Sequence, residues 1–271
     1  MGQLLNGVLT MDVELEDPTG HVWNLHGDAA GDEGVTLEGL DNIDATIDYS
    51  LDGDAFQVGE RVVGWRIDAI KPTIKVAIST ARHVDALINW TAALNAQGTW
   101  KLIMRDPVRG DERTLKMRLS RHTGATEGDP YISGMIISDY TFVAPEATWY
   151  GGVQRLRHGG SWVNDGPLEP VLSLVWGKAG SVSLTVTGDR GGVWTGPLPR
   201  PVKDGPWQSI LSIDSRMIVF DKDGAGLPVP SSSFRNNWFS LKVGSGQTLN
   251  FTTSGGTDAY LDITPRYLSP Y

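Results

Sequence analysis

Apolar and polar residues alternate one for one through most of the chain, and a period of two commits a sequence to β-strands. Met11, Val13 and Leu15 stand between Asp12, Glu14 and Glu16, and Val22-Trp23-Asn24-Leu25 resumes the pattern after Asp17-Pro18-Thr19-Gly20. Pro in the second place and Gly in the fourth suit a type I turn, so Thr10–Leu25 is expected to form a hairpin. Val35 and Leu37, then Ile43, Ala45 and Ile47, carry the alternation through Gly34–Tyr49, and Asp52-Gly53 marks a turn. A longer extended stretch, Arg61–Ile70 and Ile74–Ser79, is interrupted at Lys71-Pro72. Pro72 lacks the amide that a ladder needs, so it belongs at an edge, a bulge or a corner.

One segment changes period. Leu87, Ile88, Thr91 and Leu94 recur at helical spacing with Trp90 and Ala93 on the flank. This predicts a helix over about 81–97, capped by Thr80 and stopped by Gly98. Its single apolar face suits it to covering the open side of a sheet. Strand patterns return at Trp100–Arg105, Arg113–Arg121 and Met135–Val143, with Leu115, Met117 and Leu119 facing inward and Lys116 and Arg118 outward. Near Ala144-Pro145-Glu146-Ala147 the architecture changes. Short strands follow at Val171–Trp176, Ser181–Thr187, Ser209–Asp214, Met217–Phe220, Phe239–Val243, Thr248–Thr253 and Tyr260–Thr264, separated by Gly-rich turns. That run, without a helical period, is the pattern of a β-sandwich or jelly roll. The chain is therefore expected to be mainly β, with a helix-bearing domain over 1–147 and a pure β domain over 148–271.

Charge and residue types narrow the function. The balance of 23 basic against 32 acidic residues gives a net charge of -9, which opposes a broad nucleic-acid footprint built on clustered Lys and Arg. The chain has no cysteine, so disulfides, thiolate metal sites and a thiol nucleophile are excluded. A fold held by packing alone suits assembly in a reducing cytoplasm. Met1–Leu15 has neither a basic start nor a continuous apolar run, so no signal peptide is expected. No segment approaches the roughly 18 apolar residues of a membrane span, and a soluble protein is expected.

Motifs of catalysis are absent too. His21, His26, His83, His122 and His158 have no partners at ligand spacing, and no metal site is expected. The chain has no Gly-x-Ser-x-Gly elbow and no Walker motif, and Gly224-Ala225-Gly226 does not lead a strand into a helix. Asp221-Lys222-Asp223-Gly224 places its Gly fourth and Ser232 twelfth, a hairpin turn rather than an EF-hand loop. The carboxylates mostly alternate with apolar residues on strands, as on the wet face of a sheet, and present no pair to nominate for glycoside hydrolysis. A non-enzymatic protein without a cofactor is the expectation.

Ten tryptophans need places. Trp23, Trp65, Trp100, Trp176 and Trp238 lie inside strand patterns and are assigned to the core. Trp149, Trp162, Trp194 and Trp207 lie near turns and are assigned to the surface, where tryptophan stacks on sugar rings or anchors protein contacts. Trp90 fits either role.

The order of these elements resembles that of the distal tail proteins of long-tailed bacteriophages and related minor tail proteins. The resemblance is carried by Asp17-Pro18-Thr19-Gly20-His21-Val22-Trp23-Asn24-Leu25 and Gly34-Val35-Thr36-Leu37 near the start. In the second half it is carried by Pro167-Leu168-Glu169-Pro170, Ile213-Asp214-Ser215, Trp238-Phe239-Ser240-Leu241 and Leu249-Asn250-Phe251. It runs over nearly the whole chain, and its motifs are loose. It implies a split β-barrel-like domain with one helix, forming a ring, followed by a galectin-like β-sandwich.

It further implies a homo-hexamer at the distal end of the tail in the virion, assembled in the host cytoplasm. The implied partners are the tail tube protein, the tape measure protein and the tail-associated hub and baseplate proteins. The sandwich would be a platform for baseplate proteins or a weak binder of host cell-surface saccharide. No catalytic residue, no sequence-specific nucleic-acid binding and no membrane insertion are implied. Because Arg61–Ser79 exceeds the usual strand of about 3–10 residues, Ile70, Lys71, Pro72 and Thr73 are expected at the tip of an inter-subunit arm. The rival readings are a carbohydrate- or receptor-binding protein acting as monomer or trimer, a β-rich glycoside hydrolase, and a major tail tube subunit.

Overall fold

The computed structural model describes residues 11–52, 61–81, 83–122, 132–178, 180–188, 191–198, 207–211, 217–220, 226–227, 242–255 and 257–271. Two compact units result: 1–149 together with 268–271, and 150–267. The second domain was expected to run to Tyr271, yet the last four residues pack with the first unit. Arg113 draws them there, its Nη1 donating to the carbonyls of Ser269 (2.9 Å) and Tyr271 (2.7 Å).

The first unit is built from β1 (Asp12–Glu16), β2 (Val22–His26), β3 (Val35–Asp41), β4 (Thr46–Asp52), β5 (Arg61–Asp68), β6 (Thr73–Ser79), α1 (Ala86–Asn95), β7 (Trp100–Arg105), β8 (Glu112–His122) and β9 (Met135–Val143). Its main sheet is antiparallel in the order β2-β1-β7-β8-β9-β6-β3. Alternation decides which side is wet. Val13, Leu15, Leu102, Met104, Leu115 and Met117 are buried, while Glu14 and Glu16 face outward to meet Arg105 and Lys101 of β7, each at 2.7 Å. Such partly exposed pairs contribute at most about 1 kcal/mol each, and their main effect is on register. Register shifts at Val13/Glu14, Leu37/Gly39 and Leu119/Arg121 bend the strands. The sheet curls until its edges β2 and β3 come close without pairing, a split barrel.

The helix sits inside the expected range but begins later and turns a different face inward. Ala86, Trp90 and Ala93 are buried, whereas Ile88 is 66% exposed. Asp85, not Thr80, holds the cap position. Residues ahead of it are already engaged: the amides of Thr80 and Ala81 donate to the Gly134 carbonyl. His83 also lies against Gly34, whose φ is +79° and whose hypothetical Cβ would stand 2.7 Å from the His83 Cβ. Packing then sets the helix rotation. The Trp90 ring lies 5.1 Å from Trp23, 6.3 Å from Trp100 and 5.7 Å from Tyr140, and Trp100 continues to Phe142 at 5.6 Å. Seating one indole among three rings outweighs burying the smaller Leu87–Ile88 side.

The chain continues through β10 (Trp149–Gly151), β11 (Gln154–Leu156), β12 (Gly160–Val163), β13 (Val171–Trp176), β14 (Gly180–Thr187), β15 (Val193–Leu198), β16 (Trp207–Leu211), β17 (Met217–Phe220), β18 (Gly226–Leu227), β19 (Thr248–Ser254), β20 (Tyr260–Thr264) and β21 (Arg266–Tyr267). Among the described residues β11 to β20 form the sheets β11-β20-β13-β16-β17-β18 and β12-β19-β14-β15, while β10 pairs with β21. Leu172, Leu174 and Trp176 from one meet Leu184, Trp194 and Phe251 from the other in a shared core, which makes this unit a β-sandwich. Buried Asn164 ties its loops: the side-chain amide donates to the carbonyls of Leu168 and Val243, and its oxygen accepts from the Gly166 amide. Trp238, most of the expected strand Phe239–Val243 and the turn Asp221–Gly224 lie outside the described residues.

If Trp90 holds the first unit together, Trp90→Ala should cost about 3–5 kcal/mol. Ile88→Ala, on the wet side of the same helix, should stay within about 0.5 kcal/mol. Urea unfolding followed by circular dichroism measures both.

Candidate assembly surface

Strands β4 and β5 belong to neither large sheet; they pair only with each other. Their register places Ile47 opposite Ile67, Tyr49 opposite Trp65 and Leu51 opposite Val62, with a bulge between Ser50 and Leu51. Those residues share one face of the hairpin. The opposite face carries Asp48, Arg66 and Asp68, where Arg66 bridges both acids at 2.9 and 3.1 Å. Alternation has thus produced an amphipathic ribbon whose apolar side is left uncovered by the described residues. Tyr49, Leu51, Val62 and Val63 are all more than half exposed, and Trp65 is 62% exposed. The assignment of Trp65 to the core is overturned. Its strand has the right alternation but no second layer against it.

The root of the hairpin is fixed. Ile43 and Ile70 are buried on either side, the Ala45 amide donates to the Leu268 carbonyl (2.8 Å), and the Ala144 amide donates to Ile70 (2.8 Å). Pro72 accepts from the Phe142 amide, and Thr73 opens β6. Ile70, Lys71, Pro72 and Thr73 therefore form a corner bonded to β9 and its continuation, not the tip of an arm; Lys71 alone of the four is exposed. A proline that cannot donate can still accept, so the corner keeps a hydrogen bond to the body. The hairpin strands β4 and β5, Thr46–Asp52 and Arg61–Asp68, lie ahead of it.

The surface aromatics also move. Trp149 is 0% exposed and its Nε1 donates to the Ile43 carbonyl at 2.8 Å. Trp162 (7%) and Trp194 (1%) belong to the sandwich core. Each occupies the inward position of its strand; β10 and β12 are too short to show periodicity in sequence, and Gly196 and Pro197 disguise β15. Trp207 stands opposite Trp176 in the ladder of β16 and β13, and its side chain lies outside the described residues.

A groove of about 780 Å³ opens beside α1. Trp23, Val84, Ala86 and Ala93 give it an apolar lining, and Asp32, Glu33 and Asp85 line it with carboxylates. His21 Nε2 and Glu33 Oε2 lie 2.7 Å apart at its edge. Among the described residues no cluster of three or more His, Asp or Glu is placed to hold a metal ion.

The fold is similar to those of solved phage hub and baseplate proteins. The Dit protein of phage SPP1, a paradigm of the hub adsorption apparatus in phages infecting Gram-positive hosts, matches with a TM-score of 0.60. The identity is 12%, over 95% of this chain and 99% of that one. A chain of the phage p2 baseplate in its activated conformation matches with a TM-score of 0.57 at 9% identity, covering 96% of this chain and 99% of its own, with Ca in one structure and Sr in another. No protein-family model and no curated protein matches the sequence, so the likeness resides in the fold.

Beneath the groove, Asp17 organises the first turn. Burial alone would raise its carboxyl, but hydrogen bonds from the Thr19 hydroxyl (2.6 Å) and amide (2.8 Å), Trp23 Nε1 (3.3 Å) and the His21 amide (3.2 Å) outweigh it and hold the pKa below the ordinary value. Asp17→Ala should cost about 1–3 kcal/mol, since it leaves a buried indole N–H and turn amides unmatched. A depressed carboxyl stabilises above its unfolded pKa of about 3.9 and loses that contribution as pH falls through the lower folded value. The advantage of wild type over Asp17→Asn should therefore be full at neutral pH and shrink below about pH 4, as read by thermal unfolding across pH.

Proposed function

We propose that this chain is a structural subunit of a long-tailed phage, forming a hexameric ring that joins the tail tube to the host-adsorption apparatus. The observation that carries this reading is the uncovered apolar face of the β4–β5 hairpin. A lone two-stranded ribbon is marginal in water, so one this apolar calls for cover from another chain. A contact between an arm and a different patch on the next copy is heterologous, and heterologous contacts close into rings when the rotation permits. The likeness of fold to the SPP1 Dit protein and the p2 baseplate chain supplies the setting. In that setting the partners are the tail tube protein, the tape measure protein and the hub and baseplate proteins, and the location is the distal end of the tail. The sandwich serves as a platform for those components. The rival saccharide-binding reading loses three of its four stacking rings to burial, at Trp149, Trp162 and Trp194. Nothing in this role requires catalysis.

Light scattering tests it. The purified 29.4 kDa chain should give the mass of about six copies. Replacing Tyr49 and Trp65 together by Ser should shift the mass towards one copy with unchanged far-ultraviolet circular dichroism, because both side chains are exposed within the subunit. A wild type that stays monomeric at every concentration, or a double variant with undiminished mass, would overturn the proposal.

A further inference from the structure

The hairpin needs a receiving surface, and the described residues of the first unit offer few. Its large apolar side chains left in water fall on the hairpin, on Val84 (77% exposed) and Ile88 (66% exposed) beside and within α1, on Val108, Ile132 and Met135, and on Tyr271, whose carbonyl accepts from Arg113. Val108 stands alone in the turn after β7. Ile132 and Met135 flank Gly134, whose carbonyl accepts the amides of Thr80 and Ala81, so they border the approach to the helix rather than form a third patch. Ile88 and Ala92 lie one turn apart on α1, Val84 stands just ahead of its cap, and Val84 and Ala92 also line the adjoining groove.

We infer that this stripe of α1 and the groove beside it receive the apolar face of the β4–β5 hairpin from the next copy of the chain. The inference rests on the ring reading above and names the surface the arm occupies. The arriving face carries its own anchors: Tyr49 and Trp65 are each more than half exposed, and an aromatic side chain buries roughly 150–250 Å² when covered. Chemistry supports it as well. Buried Trp and Tyr are the usual anchors of protein contacts. The Trp65 indole and the Tyr49 phenol are donors on the arriving face, and Asp32, Glu33 and Asp85 are acceptors at the groove.

The chain contains no cysteine, so introduced thiols are unique reporters. Val63→Cys, beside the hairpin anchors, and Asn89→Cys, in the groove, change exposed positions and leave Trp65, Val84 and Ile88 in place. Treated with a short bis-maleimide, a mixture of the two single variants should give covalent dimers. The double variant should give a ladder of rungs up to the size of the closed assembly. Dimers from Val63→Cys alone would mean that hairpins face each other, and would overturn the inference. So would an assembly of full mass that yields no product in the mixture, an outcome that leaves the ring intact and places the acceptor elsewhere. A monomeric wild type would overturn both readings. As a second measure, Ile88→Asp should lower the assembled mass with unchanged circular dichroism; undiminished mass would also overturn the inference.

Discussion

An antiparallel sheet with one wet face needs a cover on the other, and in the first unit a helix of ten residues delivers it largely through one side chain. Trp90 reaches rings from β2, β7 and β9 at once, so a single contact spans the curl of the sheet and fixes where the helix lies and how it is rotated. Edge-to-face packing of this kind contributes about 0.5–1.5 kcal/mol per pair beyond the area buried. The rotation has a second effect. With Trp90 turned inward, Val84 and Ile88 are left outside, and a stripe that periodicity would assign to the core becomes surface.

The hairpin follows from the same rule of alternation applied where no second layer exists. In β1 and β7 the rule buries Val13 and Leu102 and leaves Glu14 and Arg105 to pair in water. In β4 and β5 it lines up Tyr49 with Trp65 and leaves Arg66 between two aspartates. Only the neighbourhood differs. Ion pairs on one side favour solvent there, and the aromatic side is left exposed within the subunit.

Much of this was legible in the sequence, and the boundaries of β7, β9, β13, β17 and β20 follow directly from their patterns. The turn at Asp17–Gly20 was legible because Pro and Gly have steric requirements that no tertiary context changes. Period, however, reports that a strand has two faces and not whether either is covered. Trp65 and Trp100 sit in similar patterns, one in water and one in the core. Trp149, Trp162 and Trp194 were misplaced for the opposite reason: β10, β12 and β15 are too short or too Gly- and Pro-rich to look like strands. Pro72 did mark a corner. Which side of the corner projects depends on its bonds to Phe142 and the Ile70–Ala144 bridge, and these are contacts between residues about 70 apart in sequence, beyond the reach of local pattern.

The strand that leaves the first unit, β10, is paired with β21, which returns to it, and the Gly151 amide donates to Pro265 across that seam at 3.0 Å. In chain order the sandwich is an insertion, residues 150–267 lying between the 1–149 and 268–271 segments of the first unit. A cassette joined in this way can be exchanged for another of different size or shape, provided its ends meet at the same two strands.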